Sequence, residues 1–136
     1  MPHRLTPSDL QNALPDVTST LNLPGLEKPV EICRDGWGVP HLRAENENDA
    51  FFAQGFVTAQ DRLWHMDYDR HRALGRWAEF AGPAALPEDR LMRRFRVERA
   101  ARLDLEVTSA AARDMLAAYS AGVNAFLAST RTLPVE

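Results

Sequence analysis

Cysteine is nearly absent from this chain. Cys33 is the only one in 136 residues, so no internal disulfide can form. Lysine is as scarce, with Lys28 alone among 16 basic residues. Arginine makes bidentate and interfacial ion pairs better than lysine does, so the bias suits partner surfaces, but codon bias is the simpler cause and the one preferred. No apolar run reaches the length of a membrane span. The stretch "MPHRLTPSDLQNALPDV" has no apolar signal core, which places the protein in the cytoplasm if Met1 is the true start. A net charge of −3 provides no basic excess for nucleic acid. The chain also has no Gly-rich phosphate loop, no serine-centred nucleophile elbow and no zinc-type Cys/His cluster.

What is present is globular in character. Apolar residues make up 45% of the chain, too many for a disordered segment. The length suits about one domain, and there are no internal repeats. Residues 1–28 read as an irregular arm punctuated by Pro2, Pro7, Pro15, Pro24 and Gly25, with a short helix near Ser8–Leu14 capped by Ser8.

A hairpin is predicted over residues 30–43, from strands Val30–Arg34 and Val39–Arg43. Asp35-Gly36 forms a two-residue turn in which both positions take positive φ. That register sets Ile32 opposite Val39, Val30 opposite His41 and Cys33 opposite Gly38. A four-residue loop over "DGWG" would instead set Ile32 against His41, a poorer apolar pair. Two strands alone make no stable sheet, so the hairpin is expected to pair with strands from elsewhere.

A long helix is predicted over residues 46–74, capped by Asn46 with Asp49 reaching back three residues on. Phe52, Phe56, Ala59, Leu63, Met66, Ala73 and Trp77 form its seam. Gly55 costs the helix about 1 kcal/mol relative to alanine, which suggests the close approach of another backbone. Gly75 ends or bends it. A loop and short helices follow, and then a last helix capped by Thr108. Its stripe is Ala112, Met115, Leu116, Tyr119, Val123, Phe126 and Leu127, and helical structure runs to about residue 128 before a break at Pro134.

Chemistry-bearing residues occur in three groups, by type and spacing. Cys33 and His41 are close enough in sequence for a thiolate pair, but the predicted register points them to different faces. Asp61, His65 and Asp69 recur every four residues, as do Asp67 and His71, which is the spacing of helical metal motifs. The same spacing produces ordinary surface pairs beside Arg62, Arg70 and Arg72. Arg90, Arg93, Arg94, Arg96, Arg99 and Arg102 are nearly balanced by Glu88, Asp89, Glu98, Asp104 and Glu106. That pattern reads as a salt-bridged surface or a partner interface. Residue chemistry alone therefore assigns no catalytic residue and no metal ligand to this chain.

Four ordered blocks carry a resemblance: "RDGWGVPHLRA", "DAFFAQGFVTAQDRLWHMD", "RALGRWAEFAG" and "LAAYSAGVNAFL". Together they resemble the N-terminal part of the penicillin acylase (penicillin amidase) family, from near Val30 to near Leu127. His65 departs from the glutamine more usual there, and residues 1–28 carry no family motif.

The resemblance implies an α+β fold, a fragment of the αββα sandwich of N-terminal-nucleophile hydrolases. The fragment would be mainly helical with one N-terminal β-hairpin, and residues 29–136 would form a partial α chain. It further implies a precursor that cuts itself into α and β chains, with the β chain's new N-terminal serine as nucleophile and its own α-amino group as base. An α-amino pKa near ~7.7–8 suits that role, and a serine needs such an adjacent base.

By the same resemblance the chain stops before the helix that lines the acyl pocket and before the α-chain calcium carboxylate. Hence the expectations are no catalytic, substrate or metal residue here, and no organic cofactor. Calcium would belong to the complete enzyme, with its ligands outside this chain. The partners would be a β chain and a small acylated amine: a β-lactam side chain, an acyl-homoserine lactone or a lipopeptide. No nucleic acid or membrane partner is expected, and family members are often periplasmic or secreted. Asp61 and Arg62 would form a structural polar pair. Two readings from other classes stand beside this one, a non-catalytic helical partner-binding module and a helical metal-binding protein using His65 and His71.

Overall fold

The computed structural model describes residues 6–130; the expected break at Pro134 lies outside them. A short helix α1 (Pro7–Asn12) starts the described chain. Its cap is Thr6, not Ser8: the Thr6 hydroxyl accepts from Asp9 N at 3.3 Å, and the Asp9 carboxylate accepts from Thr6 N at 2.8 Å. Pro7 at the first helical position has no N–H to leave unsatisfied, so the start falls one residue earlier than expected.

Strands β1 (Glu31–Arg34) and β2 (Pro40–Arg43) pair antiparallel, with Ile32 opposite Leu42, Cys33 opposite His41 and Arg34 opposite Pro40. The predicted register is therefore wrong, and so is the placement of Cys33 and His41 on different faces; directly opposed residues share a face. The connection spans Asp35 to Val39. Neither Asp35 nor Gly36 takes positive φ; Gly38 does, at 80°. The physical reason is the Asp35 side chain, whose Oδ1 accepts from Trp37 N at 2.9 Å and Val39 N at 3.0 Å. These bonds make Asp35 the first residue of a turn closed by Gly38 N on its carbonyl.

The long helix α2 (Glu47–Ala73) carries a break at Arg62, where φ is −141° and ψ 28°. After it come α3 (Ala78–Ala81), a single 3-10 turn (Pro83–Ala85), α4 (Leu86–Phe95), α5 (Val97–Val107) and α6 (Ala110–Ser129). Ser109, not Thr108, supplies the α6 cap, accepting from Ala112 N at 3.2 Å; the Thr108 hydroxyl donates back to Asp104 O. The described chain is thus mainly helical with one two-stranded antiparallel hairpin.

Two units are distinguished. The first draws on residues up to Leu63 and from Asp114 onward, and the second is Trp64–Arg113. In the first, Phe52, Ala53, Phe56, Val57 and Ala59 of α2 are buried, with Ala118 and Phe126 of α6. Phe56 and Phe126 meet edge to face at 5.6 Å between centroids. Gly55 and Gly122 are where the two helix backbones touch: a Cβ on Gly55 would fall on the Tyr119 carbonyl, and one on Gly122 on the Phe52 carbonyl. The close approach expected at Gly55 is present. The α6 stripe is rotated from the expected one, because the helix seats on its small residues and leaves Leu116 and Leu127 exposed.

The second unit is held by an aromatic cluster and two polar anchors. Tyr68 and Trp77 meet at 4.7 Å, Trp77 and Phe80 stack at 6.0 Å, and Trp64 lies 6.0 Å from Phe80. Buried Asp89 accepts from Trp77 N at 2.9 Å and Ala78 N at 2.8 Å, capping α3 from α4. Arg72 donates to Glu88 at 2.7 Å through Nε.

Candidate functional site

Two carboxylates organise the first unit. Asp49 is fully buried at the start of α2. Asn46 caps that helix as expected, its Oδ1 accepting from Asp49 N at 2.8 Å. Asp49 reaches back as expected, to the Asn46 side chain, accepting from its Nδ2 at 2.7 Å, and does something unforeseen besides: it accepts from Glu27 N and Lys28 N at 2.9 Å each. Burial opposes its charge, but those three donors and the Lys28 charge prevail and hold its pKa below the ordinary value. The arm is thereby tied to the helix N-terminus, where negative charge is also favoured.

The second carboxylate is Asp61. The expected Asp61–Arg62 pair does not form; Arg62 reaches only the Asp61 carbonyl, at 3.4 Å. The partner is Arg34 of β1, whose guanidinium takes both Asp61 oxygens at 2.7 and 2.9 Å. The same fork donates to Gln60 Oε1 and Gly38 O at 2.8 Å each. No local spacing signals this pair, because its members lie on different elements. Its geometry is the bidentate one that arginine alone can make.

Between the arm, β1 and the first half of α2 lies an open cavity of about 830 Å³, lined in part by Leu23, Leu26, Val30, Ile32, Phe52 and Phe56. Beside it the hairpin loop is densely bonded. His41 lies 3.1 Å from Asp35 Oδ2. The His41 ring, then the Trp37 and Val39 amides, hold the Asp35 carboxyl below its usual pKa.

The candidate chemistry-bearing residues are dispersed. Cys33 is exposed, and its thiol points at Glu31 Oε1 at 3.8 Å; although it faces His41 across the ladder, the His41 ring serves Asp35. His65 pairs with Asp69 at 3.4 Å, while Asp61 is taken by Arg34. His71 is buried, 2.8 Å from Asp67 O and 4.5 Å from the Phe80 ring. Among the described residues no three His, Cys, Asp or Glu side chains are placed to hold one metal ion. The arginine-rich segment makes local pairs such as Arg102–Glu98 at 2.7 Å. No described helix is long and apolar enough to cross a membrane.

Known proteins are similar to this chain in sequence and in fold. The sequence model of the family described as Penicillin amidase matches residues 29–136. The chain is 54% identical over 127 residues to the penicillin acylase 2 proenzyme of Pseudomonas sp. (strain SE83), covering 93% of this chain and 16% of that protein. It is 36% identical over 126 residues to the acyl-homoserine lactone acylase QuiP of Pseudomonas aeruginosa, covering 92% of this chain and 15% of the relative. A solved structure of a thermostable penicillin G acylase from Alcaligenes faecalis superposes with a TM-score of 0.68 at 32% identity, covering 76% of this chain and 55% of that one. The chain spans about a sixth of the length of those curated relatives. By family match, identity and superposition, it belongs to the penicillin amidase family.

Proposed function

We propose that this chain is the α-chain portion of an N-acyl amide hydrolase whose nucleophile is the N-terminal serine of a β chain cut from the same precursor. The observation that carries the reading is 54% identity to a penicillin acylase proenzyme combined with side chains committed to structure. Arg34 is bonded to Asp61, Asp49 to the arm, His41 to Asp35 and His71 to Asp67. Covered lengths support a divided polypeptide: a match over 76% of this chain fills 55% of the solved relative's chain, whereas a longer match, over 93%, fills only 16% of the proenzyme, so the solved chain is several times shorter than that proenzyme.

In this reading the chain supplies scaffold. The β-chain serine attacks the acyl carbonyl, its α-amino group takes the proton, and donors outside this chain stabilise the oxyanion. The substrate is an acylated amine of the kind named for the relatives, a penicillin or an acyl-homoserine lactone. Such activity would serve antibiotic chemistry or the quenching of acyl-lactone signals.

The test is expression of the full-length protein, followed by product analysis with a penicillin and an acyl-homoserine lactone. The expected result is self-cleavage and release of the free acid. Serine-to-alanine exchange at the first β-chain residue abolishes hydrolysis, and Cys33→Ala leaves it unchanged. Hydrolysis by residues 1–136 alone, lost in Cys33→Ala, would reverse the assignment.

A further inference from the structure

The loop Asp35–Val39 combines a fixed backbone with an unused side chain. Trp37 is 93% exposed. Its backbone is held nonetheless: Trp37 N and Val39 N donate to Asp35 Oδ1, Gly38 N donates to Asp35 O at 2.9 Å, and Asp35 N donates to Val39 O at 3.2 Å. Arg34 fastens Gly38 O to the Asp61–Gln60 edge of α2, and His41 holds the other Asp35 oxygen. The flanking glycines leave the approach open, because a Cβ at Gly36 or Gly38 would meet nothing within 4 Å. Val39, 51% exposed, extends the apolar tip.

A rigid loop lowers the entropy lost when its tip is captured, and tryptophan is among the residues enriched at binding hot spots. We propose that Trp37 is a docking anchor that inserts into an apolar cleft of the β chain, a cleft with one acceptor for the indole N–H. This rests on the α-chain reading above. The β chain is the occupant because the relatives carry most of their polypeptide outside the matched region, which is only 16% of the proenzyme. An anionic lipid surface fits poorly. Among the described residues, Arg34 bonds the loop but is neutralised by Asp61, and Asp35 adds a negative charge to the turn itself.

The experiment is hydroxyl-radical footprinting of full-length, self-cleaved enzyme, with the oxidation rate of Trp37 read by peptide mass spectrometry in the native protein and again in urea. The expected result is protection of Trp37 by about tenfold, as for an anchor in a desolvated pocket. In Trp37→Ala the α chain should separate from the β chain at lower urea, and Trp37→Phe should restore most of the retention. Oxidation at the unfolded rate in enzyme that still hydrolyses amide overturns the anchor and leaves the α-chain reading standing. Protection that disappears on dilution points to a second copy of the protein and also overturns it. A full-length protein that neither cleaves itself nor hydrolyses amides defeats the α-chain reading, and the anchor with it.

Discussion

The carbonyl oxygen of Phe52 occupies the space in which a side chain on Gly122 would begin. The relation is reciprocal one turn on, where the Tyr119 carbonyl fills the place of a side chain on Gly55. Two glycines thus set the distance between α2 and α6, and relief would require moving a backbone. Gly122→Ala and Gly55→Ala are therefore expected to destabilise the full-length protein by more than the ~1–3 kcal/mol typical of added core methylenes. Urea unfolding checks this, and an unchanged midpoint for either variant would show that the helices have room to separate.

Asp49 makes stability sensitive to acid. Its pKa is lower in the folded state than in the unfolded chain, so its contribution is complete above the unfolded value near ~3.9 and is lost as pH falls through the lower, folded one. Asp49→Asn should flatten this part of the stability–pH curve. It also places an amide against the Glu27 and Lys28 N–H groups, so their hydrogen exchange should accelerate by about tenfold or more. Exchange rates equal to wild type would mean that the arm is held by something else.

The Arg34 fork should not tolerate lysine. A single ammonium cannot serve both Asp61 oxygens, Gln60 and the Gly38 carbonyl together. Arg34→Lys should cost about 1–3 kcal/mol, and the double variant with Asp61→Asn less than the sum of the two single changes. Additive losses in a double-mutant cycle would show the pair to be uncoupled.

Asp89→Ala removes the acceptor of Trp77 N and Ala78 N at once. Each orphaned amide is worth about 1–3 kcal/mol where it stays buried. Because Trp77 carries the contacts to Tyr68 and Phe80, the near-ultraviolet circular dichroism of the aromatic cluster should collapse with it. Retention of that signal at wild-type amplitude would refute the link.

What could be read from the order of residues was mostly local. Asn46 before an apolar run marked the start of α2, and Gly55 in a helix interior signalled a close neighbour; both depend on residues a few positions apart. The hairpin was located but misregistered, because Asp35-Gly36 satisfies a rule for two-residue turns while the Asp35 carboxylate is better satisfied by the amides of Trp37 and Val39. The break at Arg62 had no sequence signal, since neither Pro nor Gly stands there. Arg34–Asp61 and Asp49–Glu27 were invisible for a simpler reason: a long-range partner leaves no period in the sequence. On the functional side, four blocks of residues carried the family, whereas the exposed indole of Trp37 could be recognised only once the bonds beneath it were known.

The first unit is discontinuous along the chain, and this bears on synthesis. Its α2 half leaves the ribosome well before its α6 half, with all of Trp64–Arg113 in between. Until α6 emerges, Phe52 and Phe56 have no Phe126 or Gly122 to meet, and the nascent α2 carries an apolar stripe without a lid. If the intervening residues fold meanwhile around their aromatic cluster, the flexible loop that must close is shortened, though closure entropy grows with loop length only logarithmically. A pause in translation between Arg113 and Phe126 would then lengthen the interval in which α2 needs a chaperone, whereas a pause before Trp64 would not expose the second unit at all.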